Sequence, residues 1–323
     1  MMDRQYKEVF NLQIFEDSGV FVKLLLVFLI MFACLIILTS LGLLVAAPLF
    51  HFSLLQLNGL LSGNITDSEI PLLKFIQIMQ SISLFIIPAI ILNYILFKPE
   101  KSFISTGKFP TFLLVALVLI IMIVSSPIIE QLIRWNSGIK FPSFMAGIEL
   151  KLQQFENNAA VLTEKLLSGS KISDYLFNLV MVAVIPAIGE EFLFRGVFQR
   201  IFEDWSKNIH IAVILAAILF SAFHMQFYGF IPRFVLGVFF GYLFYWKGNI
   251  WLAVIAHFIN NFIAVTIDFL DKNSFKNLSD SLDTFQSKPI EIIISLALTI
   301  FLVSQIQRKH KIKQELIGNQ PEK

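Results

Sequence analysis

Three groups of ionisable and amide side chains interrupt long apolar runs in the second half of this sequence. Inside hydrocarbon, such groups cost several kcal/mol unless they have partners. Their presence therefore indicates a function or a specific structural bond. The residues are Glu190, Glu191 and Arg195 in the first run, His224 in the second, and His257 and Asn261 in the third.

The spacing within each group predicts which side chains share a helix face. Glu191 and Arg195 are four residues apart, so on a helix they lie on one face and suit an internal ion pair. His257 and Asn261 have the same spacing, which directs the imidazole and the amide into one cavity. Glu190 lies about 100° around the helix from Glu191 and is free to face another group.

Two further residues stand beside these groups. Pro186 comes one turn before Glu190, and we expect it to kink the helix and free a backbone carbonyl near the cavity. Asn260 adjoins Asn261 but points in a different direction on a helix, so we interpret it as an interhelical hydrogen-bonding residue.

This set of side chains suits the hydrolysis of an amide bond by water. A carboxylate in a low-dielectric cavity is a better base than one in water and can take a proton from a water molecule. A neutral histidine can hold the same water, while a second histidine and an amide can donate hydrogen bonds to the oxyanion that develops on the carbonyl. No serine or cysteine in the three groups has an activating base beside it, so a covalent acyl-enzyme is disfavoured.

The composition places these groups in a membrane protein. Of 323 residues, 56% are hydrophobic and only 15% are charged, and 35 are phenylalanine; the mean hydropathy is +0.75. A soluble domain of this size does not have such a composition. The net charge of +2 is too small to suggest a nucleic-acid partner. Cys34 is the single cysteine, which excludes a disulfide framework and a cysteine-based zinc site within one chain.

The elements that must position the polar groups are long apolar helices. A helix needs about 20 mainly apolar residues to cross a bilayer, and eight runs meet that requirement. Charged residues precede the first run, so we expect the N-terminus not to be a cleaved signal peptide. The predicted spans cover residues 24–47, 75–97, 111–129, 173–203, 209–225, 230–246, 250–270 and 289–306. The predicted fold is thus an all-α, polytopic membrane helix bundle.

A different kind of segment separates the third and fourth spans. Between Phe144 and Leu166 the apolar residues recur every three or four positions with charged residues between them, which predicts an amphipathic helix at the membrane surface or over the bundle. A small soluble insert is the alternative. We therefore expect four units: the first three spans (1–129), the insert (130–171), a four-helix core with the polar groups (172–270), and a last span with a basic tail (271–323).

The distribution of lysine and arginine predicts the orientation. These residues are more frequent in the segments that face the cytoplasm when both termini lie inside. We therefore expect a multi-pass protein of the plasma or inner membrane with both ends in the cytoplasm.

The three groups resemble the motifs of a known family. Glu190-Glu191-x-x-x-Arg195, Phe220-x-x-x-His224 and His257-x-x-x-Asn261 occur in that order on three spans, and this series is similar to the CAAX prenyl protease and bacteriocin-processing family of intramembrane endopeptidases. The similarity covers roughly residues 173–270. Outside that stretch we find no signature of the family.

The resemblance implies a role for each motif residue. It implies that Glu190, paired with His224, activates water, and that His257 and Asn261 stabilise the oxyanion. Glu191 and Arg195 would support the site, and Phe220 would pack beneath His224. The family has been described both as metalloproteases and as metal-independent glutamate proteases. Glu190, His224 and His257 could also form a His₂Glu zinc site, so the cofactor is either zinc or none.

Two other functions are compatible with the sequence. A transporter or channel could use the same glutamates and histidines as a proton or ion relay, and a catalytically silent member of the family could act as an immunity or scaffolding protein. The expected partners are a peptide or protein substrate, reached from the membrane or the cytoplasmic side, and the lipid bilayer. The sequence does not specify whether that substrate is of the prenylated or the bacteriocin type.

Overall fold

The computed structural model describes residues 15–52, 66–98, 102–103, 109–273 and 288–318. All regular structure in these residues is helical, which confirms the predicted all-α bundle. The helices are α1 (Val20–Phe50), α2 (Asp67–Leu96), α3 (Phe112–Ser137), α4 (Ala146–Leu166), α5 (Ile172–Ser206), α6 (Ile209–Ala222), α7 (Phe230–Lys247), α8 (Ile250–Lys272) and α9 (Pro289–Gly318).

Seven of these helices are long and apolar enough to cross a membrane, and the protein is a multi-pass membrane protein. The sequence predicts about eight spans, and the difference lies in α6. This helix has 14 residues, which is about 21 Å against a hydrocarbon thickness of about 30 Å. It ends at Ala222, and Met225 then takes a left-handed conformation with φ of 53°. The helix is therefore too short to cross the hydrocarbon by itself, and His224 lies two residues beyond its end.

The segment before α5 contains the predicted amphipathic helix. Helix α4 spans Ala146–Leu166, and of its residues only Leu166 is buried. Its apolar side chains Ile148 and Phe155 are more than half exposed, as expected for a helix that lies on a surface rather than in a core. The structure thus confirms a helical insert between the third and fourth predicted spans.

The carboxyl end of α4 is fixed to the bundle by three side chains from three other helices. Asn178 Nδ2 and Lys272 Nζ donate to the carbonyl oxygen of Leu167 at 3.0 and 3.1 Å. Lys74 Nζ donates to the carbonyl oxygen of Ser168 at 3.1 Å. Free carbonyls at a helix end need such donors, so these bonds hold the insert against α2, α5 and α8.

Helix α5 contains two π-helical segments with an α-helical stretch between them. The π segments are Leu179–Val184 and Phe194–Phe198, and the α segment is Ile185–Leu193. A π turn adds a residue to the helix and changes the direction of the side chains that follow. Glu190 and Glu191 lie on the α segment and Arg195 lies in the second π segment.

Helices α5 and α7 are joined by paired side-chain bonds. Arg195 Nη2 donates to the carbonyl oxygen of Gly237 at 2.9 Å, and Gln199 Nε2 donates to that of Gly241 at 3.2 Å. Both pairs have a spacing of four residues, so two turns of one helix match two turns of the other. A Cβ at Gly241 would lie 2.9 Å from Gln199 Oε1, and glycine therefore permits the close approach.

The predicted units at the two ends extend beyond the described residues. Residues 1–14 and 319–323 are outside them, and so are the side chains of the basic tail from residue 308 onward. The interpretation of the tail and of the N-terminus thus lies outside the described part of the chain.

Candidate active site

A buried ion-pair cluster centred on Glu191 joins α5 to α8. Glu191 Oε1 accepts hydrogen bonds from Arg195 Nη1 at 2.9 Å and from His257 Nδ1 at 2.8 Å. Glu191 and Arg195 are fully buried, and His257 is 4% exposed. Charge-assisted bonds of this kind are strong where water is excluded. The Glu191 carboxylate therefore fixes both the guanidinium and the imidazole.

Aromatic rings complete the surroundings of this cluster. The Arg195 guanidinium lies 4.7 Å from the centre of the Phe220 ring and 5.5 Å from that of Phe240. The His257 ring is stacked on Phe240 at 5.3 Å and meets Phe220 edge-on at 5.6 Å. Ring faces attract cations, so Phe220 and Phe240 stabilise the buried charge and fix the orientation of the imidazole.

Glu190 lies beside this cluster but is bonded differently. Its Oε2 atom is 3.9 Å from His257 Nε2, which is beyond hydrogen-bonding distance. The residue is 9% exposed, and this buried oxygen has no hydrogen-bond partner among the described residues. A buried carboxylate oxygen without a partner is costly, and such an atom needs an explanation.

His224 is oriented by the backbone of its own turn. Its Nδ1 atom is 2.9 Å from the carbonyl oxygen of Phe220. Since a carbonyl only accepts, Nδ1 carries the hydrogen and Nε2 is the acceptor in the neutral ring. The Phe220 ring meets the His224 ring edge-on at 5.3 Å. Glu190 and His257 are both within electrostatic range of His224, so the three groups surround one region.

The turn that carries His224 is held by an asparagine from α3. Asn136 is 1% exposed; its Nδ2 donates to the carbonyl oxygen of Phe227 at 3.0 Å, and its Oδ1 accepts from the backbone N–H of Ile231 at 2.7 Å. Ser221 Oγ adds a bond to the carbonyl oxygen of Phe230 at 2.6 Å. Sequence reasoning missed Asn136, although an amide close to the end of an apolar run is a signal for such a bond.

Asn261 is fixed from both sides of its amide. Its Nδ2 donates to the carbonyl oxygen of Val182 on α5 at 3.1 Å, and its Oδ1 accepts from Asn260 Nδ2 at 3.2 Å. Four residues earlier on the same helix, His257 contacts Glu191. One face of α8 is therefore joined to α5 at two successive turns.

Arg233, near the start of α7, also lies near the site. Glu190 and Glu156 are both within electrostatic range of the Arg233 guanidinium. Arg233 donates to the Gln226 side chain and, at 3.4 Å, to the Gln226 carbonyl oxygen. Arg233 therefore contributes positive charge beside Glu190, which its position near the start of α7 does not reveal.

The structure brings the predicted residues of the three motifs into one region, with one difference in pairing. The resemblance pairs Glu190 with His224 and His257 with Asn261. In the structure His257 is placed against Glu190 and Glu191, and Asn261 against the α5 backbone. The roles of these residues stay predictions.

Glu190, His224 and His257 are the side chains that would hold a zinc ion if one bound. The part of the chain that the structure describes includes Glu190, His224 and His257, and in it no three His, Cys, Asp or Glu side chains are arranged to hold a metal ion. A tetrahedral His₂Glu site needs its three ligand atoms within about 2 Å of one point.

The comparison with known families agrees with the motif resemblance. Residues 172–263 match the family model described as "Type II CAAX prenyl endopeptidase Rce1-like". The match includes all three motifs and covers less than a third of the chain. No curated protein and no solved structure is significantly similar to this chain. The predicted resemblance is thus confirmed by the family match.

Proposed function

We propose that this chain is an intramembrane endopeptidase in which Glu190 activates the attacking water, because residues 172–263 match the family model of the type II CAAX prenyl endopeptidases. The family is a family of membrane peptidases. We propose in addition a catalytic type, a glutamate that activates water, and a role for each residue.

We infer the mechanism from one observation: the neighbouring carboxylates of Glu190 and Glu191 differ in their hydrogen bonds. Glu191 accepts hydrogen bonds from a guanidinium and an imidazole through Oε1, whereas Glu190 has no hydrogen bond among the described residues; the Oε2 atom of each carboxylate is buried without a partner. A purely structural carboxylate would be bonded like Glu191. Glu190 lies 3.9 Å from His257 Nε2 and within electrostatic range of His224. A carboxylate without a hydrogen bond in such a place suits a group that takes a proton from a molecule entering the site.

The proposed reaction starts with the removal of a proton from water by Glu190. His224 Nε2, the acceptor nitrogen of the neutral ring, holds the other hydrogen of the same water. The water oxygen then forms a bond to the carbonyl carbon of the peptide, and the carbonyl π electrons move to its oxygen. Glu190 finally returns its proton to the leaving amine as the C–N bond breaks.

His257 and Asn261 stabilise the oxyanion in this proposal. Because His257 Nδ1 donates to Glu191, the ring can donate from Nε2 only as the imidazolium. Asn261 has a second N–H that the bond to Val182 does not use, and this hydrogen is available to the oxyanion.

The substrate is a peptide or protein that reaches the bundle from the bilayer or the cytoplasmic side. We propose prenylated or bacteriocin-type peptides as the substrate class, a plasma or inner membrane as the location, and a cytoplasmic position for both termini. The motif resemblance supports the first of these and the lysine and arginine distribution supports the other two.

The test compares the peptide termini that cleavage creates in three membrane preparations. These contain the wild type, Glu190→Gln or Glu130→Gln. Glu130→Gln makes the same carboxylate-to-amide change on α3, where the side chain is about one-third exposed. We expect termini that depend on the wild type and on Glu130→Gln and that disappear with Glu190→Gln. Identical termini in all three membranes, or cleavage by folded Glu190→Gln, would contradict the proposal.

A further inference from the structure

The backbone of α5 offers an unusual acceptor beside the site. In an α-helix the carbonyl oxygen of Val182 accepts the N–H of residue 186, and residue 186 is a proline, which has none. Val182 itself lies in the π segment Leu179–Val184, where the hydrogen-bond register changes. The α-helical donor to this carbonyl, the N–H of residue 186, is therefore missing, as the position of Pro186 in the sequence predicts.

The partner of that carbonyl comes from another helix. Asn261 Nδ2 donates to Val182 O at 3.1 Å, across the contact between α5 and α8. The other end of the amide is held as well, since Asn261 Oδ1 accepts from Asn260 Nδ2 at 3.2 Å. Hydrogen bonds at both the nitrogen and the oxygen of an amide restrict its rotation. The second N–H of Asn261 therefore has one defined direction.

We propose that Pro186 is a positioning residue for catalysis: it leaves the Val182 carbonyl to Asn261 and so aims the second N–H of that amide at the oxyanion. The proposal rests on the proposed function, because it requires Asn261 to be an oxyanion donor. Oxyanion donors must be in place before the charge develops. An amide that rotates freely on α8 would lose part of that preorganisation.

Helix α3 shows that a proline alone does not require such a partner. Pro127 lies inside α3 and removes the donor to Ile123 O, and this carbonyl accepts from Ser126 Oγ at 2.7 Å. The freed carbonyl on α3 is thus satisfied by its own helix. On α5 the acceptor is satisfied across a helix contact, by a residue of the third motif.

A double-mutant cycle between Pro186 and Asn261 tests the proposal. Pro186→Ala restores a backbone N–H that competes with Asn261 for Val182 O. The probe is a quenched-fluorescence peptide in detergent micelles, carrying a cleavage sequence identified from the new termini. We expect Asn261→Ala to lower kcat about 100-fold, as the loss of an oxyanion donor does, and Pro186→Ala to lower it about tenfold through misplacement, with KM unchanged.

The non-additivity of the two substitutions in kcat decides the test. In the Asn261→Ala background we expect Pro186→Ala to change kcat less than about twofold, because the residue it positions is gone. A further tenfold loss in that background would overturn the proposal, since it would show that Pro186 acts independently of Asn261. Pro127→Ala is the matched control and should leave kcat unchanged.

Two measurements keep the outcome clear. If Pro186→Ala does not fold, Asn260→Ala releases the other end of the amide, and the same non-additivity with Asn261→Ala is expected. Activity that survives in both Glu190→Gln and Asn261→Ala would refute the proposed function, whereas additive losses with an inactive Glu190→Gln would refute only the role of Pro186. Non-additive changes in melting temperature between Pro186→Ala and Asn261→Ala would report the contact of Asn261 with Val182 O independently of activity.

Discussion

Glu190 and Glu191 are adjacent in the sequence and lie in opposite chemical situations. Glu191 is fully buried and accepts two charge-assisted hydrogen bonds through Oε1, from Arg195 and His257. Glu190 keeps 9% of its surface exposed, and its Oε2 has no partner in the described chain. The two side chains point about 100° apart on one helix, and that rotation separates the hydrogen-bonded carboxylate from the one without a hydrogen bond.

The difference shows how a helix bundle can keep a buried carboxylate free of hydrogen bonds. The Glu191 cluster joins α5 to α8 and, through the bond from Arg195 to Gly237, α5 to α7. These bonds place His257 without using its Nε2 atom, which lies 3.9 Å from Glu190 Oε2. Glu190 can therefore be left unbonded because its neighbours, and not Glu190 itself, hold the helices together.

The largest effect expected from this comparison is the loss of activity in Glu190→Gln. General-base catalysis contributes about 10²–10⁴-fold to rate, so we expect kcat of the identified peptide to fall by that factor. Because the substitution removes a buried charge whose Oε2 atom accepts no hydrogen bond among the described residues, the melting temperature in detergent should be unchanged or higher. A fall in melting temperature comparable to the loss of a buried ion pair would show that Glu190 is structural.

Glu191→Gln should show the opposite pattern, with a loss of stability. It leaves the buried Arg195 guanidinium without its carboxylate, which costs about 3–5 kcal/mol in comparable buried pairs. We expect a clear decrease in the free energy of unfolding, measured by denaturant titration in micelles. Activity should fall only as far as His257 loses its orientation. A stable Glu191→Gln with no activity would reverse the assignment of the two glutamates.

Much of this fold could be predicted because apolar length and helical spacing are local properties. The runs at 24–47 and 250–270 are helices Val20–Phe50 and Ile250–Lys272, and four-residue spacing places Glu191 beside Arg195. The predicted span 209–225 extends three residues too far, because the helix ends at Ala222. Hydropathy continues through Phe223, and the left-handed turn at Met225 has no apolar signature.

The pairing between helices could not be predicted because it depends on how they cross. Spacing alone leaves open whether Glu191 bonds Arg195 only or His257 as well, since His257 is 66 residues away. The same holds for Val182 and Asn261: Pro186 reveals that a carbonyl is freed, but the residue that reaches it depends on the contact of α5 with α8. Asn136 was missed because its partners lie on α7 and the turn before it.

A smaller effect is expected where α5 and α7 approach each other. Gly241→Ala places a Cβ 2.9 Å from Gln199 Oε1 and 3.0 Å from a methyl group of Val213. Overpacking of this kind costs about 1–3 kcal/mol, so the melting temperature should fall. The control is Gly147→Ala on α4, where no atom lies within 4 Å of the new Cβ. If both variants melt alike, the glycine contact does not limit the packing of the bundle.

The smallest effect is expected for Asp268→Asn, which tests whether burial or spacing gives the Glu191 pair its importance. Asp268 and Lys272 have the same four-residue spacing on α8 and a distance of 2.6 Å, but about 30% of each side chain is exposed. Exposed pairs contribute about 0–1 kcal/mol, and Lys272 also keeps its bond to the Leu167 carbonyl oxygen. We therefore expect a change in unfolding free energy below about 1 kcal/mol, several times smaller than for Glu191→Gln. Equal losses in the two variants would mean that the spacing itself, rather than the exclusion of water around Glu191, determines the stability of the site.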